Sequence, residues 1–168
     1  MPGDNFRRID LDLIEPEFRL KILNVIDACL KRGHSYHATS GFRTYGEQMA
    51  LWAKGRTTPG PKVTNAKGGQ SSHNFGIAID FIPDKDLKTP GIQPDWSSEG
   101  YKVLVEEVEK AGLHSGRNYN DLPHVSLPGF VTAVDLLPLH LAWEKSADEA
   151  LGTLDRLRRV WQLLNPKG

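Results

Sequence analysis

The stretch SSHNFGIAIDF, Ser71–Phe81, sets a histidine and an aspartate seven residues apart, His73 and Asp80, at the ends of an otherwise small and apolar run. Within it GIAIDFIP, 76–83, is rich in β-formers and bounded by Gly and Pro, and reads as a buried strand. Residues an odd number apart in a straight strand face opposite sides, so an unbroken strand would aim His73 and Asp80 away from each other. The chain must therefore turn between them, and Gly76 permits that turn. A loop carrying His73 into a strand carrying Asp80 can bring both side chains to one ion.

Outward from this stretch, helical and extended patterns alternate. Residues 16–32, PEFRLKILNVIDACLKR, carry apolar side chains at Phe18, Ile22, Val25, Ile26 and Cys29, opened by Pro16 and closed by Gly33, which predicts a helix. HSYHATSGF, 34–42, reads as a short strand. Thr44-x-x-Glu47 is a capping box that starts a second helix through Ala53, with Gly55 after it. GRTTPGPKVTNAKGGQS, 55–71, has too much Gly and Pro for anything but a long loop, a class that is usually functional or mobile. Ser98 can cap a third helix through Ala111, and HVSL, 124–127, suits a strand. Beyond Pro128 the chain is strongly apolar, and Pro138 is expected to interrupt any helix there. Ser146-x-x-Glu149 is expected to cap a last helix whose stripe runs Ala147, Ala150, Leu151, Leu154, Leu157, Val160, Trp161 and Leu164 and packs on its own domain.

The 168 residues suit one domain with one core. Lys plus Arg and Asp plus Glu are 21 each, which disfavours nucleic acid and other polyanion partners. The single cysteine, Cys29, lies in an apolar run and reads as a small buried hydrophobe, so neither a disulfide nor a Cys-based zinc site is expected. No signal-like start and no run of eighteen apolar residues is visible, so the expectation is a soluble chain made in the cytoplasm without a signal peptide and not inserted in a membrane.

A catalytic zinc keeps about three protein ligands at ~2.0–2.2 Å and one open position. A third ligand for His73 and Asp80 is available in DLPHV: His124, with Asp121 three residues before it as a carboxylate that could accept a proton. His34 and His37 would face opposite sides of their strand. His114 reads as a solvated loop histidine beside the cleft and His140 as structural. A Ser71/His73/Asp80 hydrolase lacks a nucleophile-elbow sequence.

Together, Ser71-x-His73-x-x-Gly76-x-Ala78-x-Asp80, the later Asp121-x-x-His124 and the preceding SGFRT resemble the zinc peptidases of the D-alanyl-D-alanine carboxypeptidase type. SGFRTYGEQMALWAKGR through KVTNAKGGQSSHNFGIAIDF is most similar to their L-alanyl-D-glutamate endopeptidase branch, which includes endolysins. The likeness spans roughly residues 15 to 127. It implies that His73, Asp80 and His124 bind Zn2+, that Asp121 is general base and acid, and that Arg43 steadies an oxyanion or a substrate carboxylate. Ser71 and Gln48 also match the pattern, as supporting or substrate-binding residues. One departure falls on the pocket wall rather than the ligands: a Trp-Gly-Gly stretch usual in the family is replaced by GLHSGRNYND.

The expectation is therefore an α+β fold, a small antiparallel sheet with packed helices and a zinc cleft. Residues 1–128 would form the peptidase domain and 129–168 a helical C-terminal extension packed on it. The resemblance implies a monomer that cleaves peptidoglycan stem peptides in the bacterial cell wall, at an L-alanyl-D-glutamate bond. A D,D-carboxypeptidase or D,D-dipeptidase on the same scaffold, and a non-catalytic zinc-bearing wall-binding module, are the alternatives.

Overall fold

A computed structural model of the chain describes residues 2–165. Helix α1 (Pro16–Lys31) has Pro at its start and Phe18, Ile22, Val25, Ile26 and Cys29 on its buried face, as the periodicity predicts. Strand β1 (Ser35–Ser40) follows. Helix α2 (Tyr45–Ala53) is opened by the Thr44/Glu47 box, each side chain bonding the other residue's backbone N–H. Strand β2 (Ala78–Asp84), helix α3 (Ser98–Lys110), and strands β3 (His114–Ser115) and β4 (His124–Ser126) complete the sheet region. The cap of α3 is Ser97, whose Oγ accepts from Gly100 N, one residue earlier than expected.

The sheet order is β1-β2-β4-β3, with every pair antiparallel. Side-chain alternation gives it two different faces. Tyr36, Ala38, Ile79, Phe81 and Val125 point into a core shared with α1 and α3. The other face carries Asp80 and His124, which are register partners, and Asp80 also pairs with Ser40 across an irregularity in β1. The architecture is α+β with a small antiparallel sheet.

A second apolar cluster joins Phe75 and Ile77 to Leu136, Leu139, Trp143, Leu157, Val160 and Trp161. Its tail residues come from helices α4 (Ala133–Lys145) and α5 (Thr153–Trp161). Two expectations fail here. Pro138 does not interrupt the helix but lies inside α4, because a Thr132/Asp135 box already fixes the start. The carbonyl it orphans belongs to Val134, a residue 79% exposed and open to water. Ser146 does not cap the last helix: its Oγ donates to Trp143 O and accepts from Arg156 Nε. α5 then begins only after Gly152. Arg156 also stacks 3.8 Å over the Trp143 ring, so an arginine ten residues downstream takes the hydroxyl that the cap needed. Of the expected stripe, Leu157, Val160 and Trp161 are buried while Ala147 and Ala150 are exposed.

The 55–71 loop is held rather than loose. Arg56 donates to Trp52 O, Thr64 O and Asn65 Oδ1, and Gln48 Nε2 donates to Ala66 O.

Candidate metal centre

Gly76 makes the turn that the sequence requires. It has φ +65° and ends a 3-10 turn, Ser72–Phe75, and a Cβ there would overlap Leu13 O. No side chain fits, so His73 leaves the strand direction and swings back over the open face of the sheet. Its backbone carbonyl accepts from Arg43 N at 3.0 Å.

His73 Nε2 and His124 Nδ1 each lie 3.2 Å from Asp80 Oδ1, and the three donor atoms fall within 4.8 Å of one another. His73 Nδ1 sits 2.7 Å from Gly41 O, a bond that only an N–H on Nδ1 can make, so the Nε2 lone pair of the neutral ring faces the carboxylate. His73 Nε2 and Asp80 Oδ1, two acceptors aimed at each other, need a positive charge between them, which one shared ion can supply. Two imidazoles and one carboxylate are the donor set of a catalytic zinc site, so these residues could hold a metal. Burial alone would raise the Asp80 carboxyl, but His73 and His124 together hold it well below the usual carboxylate range.

Arg43 approaches from the side. Its Nη1 donates to Gln48 Oε1 at 2.9 Å, its Nη2 donates to Ser40 Oγ at 2.8 Å, and Nη2 lies 3.8 Å from Asp80 Oδ2. Gln48 is fully buried, so it supports Arg43 and does not meet a ligand. Ser71 precedes the 3-10 turn and lines the adjoining cavity, with its N–H bound to Asn74 Oδ1.

Asp121 makes no ion pair or side-chain hydrogen bond to a described group, and it lines a cavity of about 320 Å³ beside His124. Partial burial raises its pKa and nearby Asp80 adds to this, against the pull of His124 and His73. A carboxylate held free beside the cluster, with raised basicity, is equipped to take a proton.

Sequence reasoning missed Asn74 and Gly116. Asn74 is buried, accepts from Gly69 N and Ser71 N, and donates to Arg43 O, so it ties the loop to the arginine segment. Gly116 lets Asp121 approach, since a Cβ there would overlap Asp121 O. The two-residue strand β3 was also missed, and with it the position of His114, which lines the cavity rather than a solvated loop. His34 is exposed, His37 lies 3.6 Å from Asp84, and His140 Nδ1 pairs with Tyr45 OH at 2.8 Å, so none joins the cluster.

Residues 12–116 match the VanY family, described as D-alanyl-D-alanine carboxypeptidase, and the chain belongs to it. That match contains Arg43, Gln48, Ser71, His73 and Asp80, while Asp121 and His124 lie just past its end. Among curated relatives, the peptidoglycan L-alanyl-D-glutamate endopeptidase CwlK of Bacillus subtilis (strain 168) is 34% identical over 113 residues, covering 60% of this chain and 65% of that protein. The chain thus spans just under two thirds of that relative's length. The crystal structure of the Serratia marcescens L-Ala D-Glu endopeptidase ChiX superposes with a TM-score of 0.46 at 18% identity, over 70% of this chain and 82% of that one. Among the described residues no helix is long and apolar enough to cross a membrane.

Proposed function

We propose that the chain is a zinc-dependent peptidoglycan peptidase that hydrolyses a stem-peptide bond, the L-alanyl-D-glutamate bond in the first instance. The observation that carries this reading is the set His73, Asp80 and His124 on one side and an unengaged Asp121 on the other. A purely structural zinc closes its coordination and has no use for a free carboxylate beside it, which speaks against a non-catalytic wall-binding module. Family membership supports peptide hydrolysis, and the name of the 34% identical relative supports the L-alanyl-D-glutamate bond.

His73, Asp80 and His124 would hold the zinc, which would supply an acidified water and a Lewis acid for the scissile carbonyl. The chain's own groups do the rest. Asp121 takes the proton and returns it to the leaving amine. Arg43, fixed at two of its nitrogens by Gln48 and Ser40, offers always-charged donors to the oxygen that gains negative charge. Gly41, through its carbonyl, keeps His73 in the tautomer that presents Nε2. The described part of the tail, residues 129–165, acts as part of the same folding unit, with Val131 and Thr132 lining the cavity beside Asp121.

The D,D-carboxypeptidase reading has one specific observation in its favour. A second cavity, of about 480 Å³, adjoins Arg43 and is lined also by Arg8 and Lys54, cations that could hold a terminal carboxylate. Mass spectrometry of muropeptides after digestion decides: new L-alanine C-termini and D-glutamate N-termini are expected. Release of free D-alanine alone assigns the D,D activity, and unchanged muropeptides with zinc bound refute a peptidase.

A further inference from the structure

Two cavities adjoin the residues of the metal cluster, and they differ in charge. The one at His124 is lined by no Lys or Arg and carries the Asp121 carboxylate. The other, of about 480 Å³, is lined by Arg43, Arg8 and Lys54, with Asp10 and Glu47 as its acids. Both acids are engaged at helix starts: Asp10 Oδ1 accepts from Asp12 N, and Glu47 Oε2 accepts from Thr44 N and Thr44 Oγ1. Arg43 is committed to Gln48 and Ser40 and lies 3.8 Å from Asp80. Arg8 and Lys54 are exposed and make no ion pair or side-chain hydrogen bond to a described group, whereas the adjacent Arg7 is paired with Asp4.

The backbone that carries these two cations is fixed. Phe6, two residues before Arg8, is buried edge-on against Phe81 at 5.9 Å, and Ile9 N donates to Phe6 O at 3.1 Å. Ile9 packs on Gly41, where a Cβ would come within 3.2 Å of it, and Gly41 O is the group that orients His73. Lys54 follows α2, and Glu47, Ala50 and Leu51 on one face of that helix line the same cavity. Two unengaged cations therefore open into one concavity beside the segment 41–43 that touches the metal cluster. Like charges gathered there repel one another, and a carboxylate received among them relieves that repulsion through charge-assisted hydrogen bonds.

We propose that Arg8 and Lys54 are substrate-binding residues that hold a free carboxylate of the stem peptide in the cavity beside Arg43. The inference rests on the peptidase reading above and deepens it. Two sources carry this chemistry. Glutamate has two carboxyl groups and chain continuation uses one, so the residue after an L-alanyl-D-glutamate bond keeps the other free; the stem peptide also ends in a carboxylate. In either case the cavity reads charge, and an amidated substrate is disfavoured.

The test is steady-state cleavage by the full chain of one synthetic stem peptide in four forms: both carboxyls free, the glutamate carboxyl amidated, the C-terminus amidated, and both amidated. Zinc content and melting temperature are measured on every variant, and a form that is not cleaved is read as a competitive inhibitor of the free form, its Ki replacing KM. In Arg8→Gln/Lys54→Gln the KM for the free form should rise about 10-fold, with kcat and zinc content little changed. Arg8→Lys/Lys54→Arg keeps both charges and should hold KM within about 3-fold. The effect of the Gln pair should vanish on the doubly amidated form, and the singly amidated form on which it vanishes names the carboxylate held. An unchanged KM in the Gln pair, a rise of the same size on the doubly amidated form, or an equal rise in the charge-keeping pair overturns the proposal. A wild-type chain that leaves every form intact overturns the functional reading and this subsite with it. A wild-type chain that cleaves them alongside an unaffected Gln pair overturns the subsite alone.

Discussion

Asp80 and Asp121 are both carboxylates beside the same imidazoles, yet the structure surrounds them differently, and exchanging each for asparagine tests the two roles proposed for them. Asp80 Oδ1 lies 3.2 Å from both His73 Nε2 and His124 Nδ1, and against the effect of burial both rings hold its pKa down. The Asp80→Asn variant would offer a neutral amide oxygen, a poorer zinc ligand, beside the same two rings. Loss of an outer partner of a ligand costs about 10–100-fold in metal affinity, and loss of a ligand should exceed that. Asp121 touches neither ring nitrogen, and Asp121→Asn keeps the shape while removing the basic oxygen. Zinc should remain, and turnover should fall by about 10²–10⁴-fold. The assay is zinc per chain by elemental analysis after dialysis, read beside stem-peptide cleavage under the same conditions. Wild-type turnover in Asp121→Asn removes that residue from the mechanism; loss of its zinc makes it a ligand. Full zinc affinity in Asp80→Asn refutes the three-ligand site.

Further outcomes follow from single contacts. Gly76→Ala forces a left-handed φ and a Cβ into Leu13 O, and should cost about 2–5 kcal/mol in denaturant melts; an unchanged midpoint would mean that the segment can back away. Gln48→Ala removes the acceptor of Arg43 Nη1 and the donor to Ala66 O, so kcat/KM should fall about 10-fold with zinc retained, and a fall in zinc instead would tie Gln48 to the ligands. Burial pushes the Cys29 thiol up to about 12 from an ordinary 9.0, so the folded state favours the protonated form. Its contribution is fully present below the unfolded pKa and is lost as pH rises from about 9 toward 12, and Cys29→Ala should flatten that part of the alkaline melting profile.

Where the chain's own neighbours settle a conformation, the sequence is legible. The face of α1, the reciprocal Thr44/Glu47 box and the strand containing Asp80 depend on residues within one or two turns, and the structure reproduces them. The two metal-site motifs are legible for the same reason, because His73 and Asp80 share one short stretch, and Asp121 and His124 another. The misreadings of Ser146, β3 and Asn74 involve partners beyond the local turn. Ser146 has a box-like spacing, but Arg156 and Trp143 O claim its hydroxyl. Strand β3 has two residues, too few for any periodicity, and exists because β4 lies alongside it. Asn74 carries no local mark of its function, since the groups it joins are about 30 residues apart in sequence.

That last bond shows why the cleft behaves as one object although its parts come from separate segments. Asp80 and His124 are fixed by strand register, an arrangement that costs nothing beyond forming the sheet. His73 and Arg43 lie outside the sheet and have no such guarantee. They are joined instead to each other, His73 O to Arg43 N and Asn74 Nδ2 to Arg43 O, while Gly41 O orients the imidazole from the same segment. The turn that carries His73 is in turn gripped from below by the tail, where Trp161 Nε1 donates to Phe75 O at 2.7 Å. A displacement of the turn therefore moves His73 and Arg43 together. On the proposed roles of His73 and Arg43, metal affinity and turnover would be coupled through the backbone of residues 41–44 and 73–76, and helix α5 would bear on both.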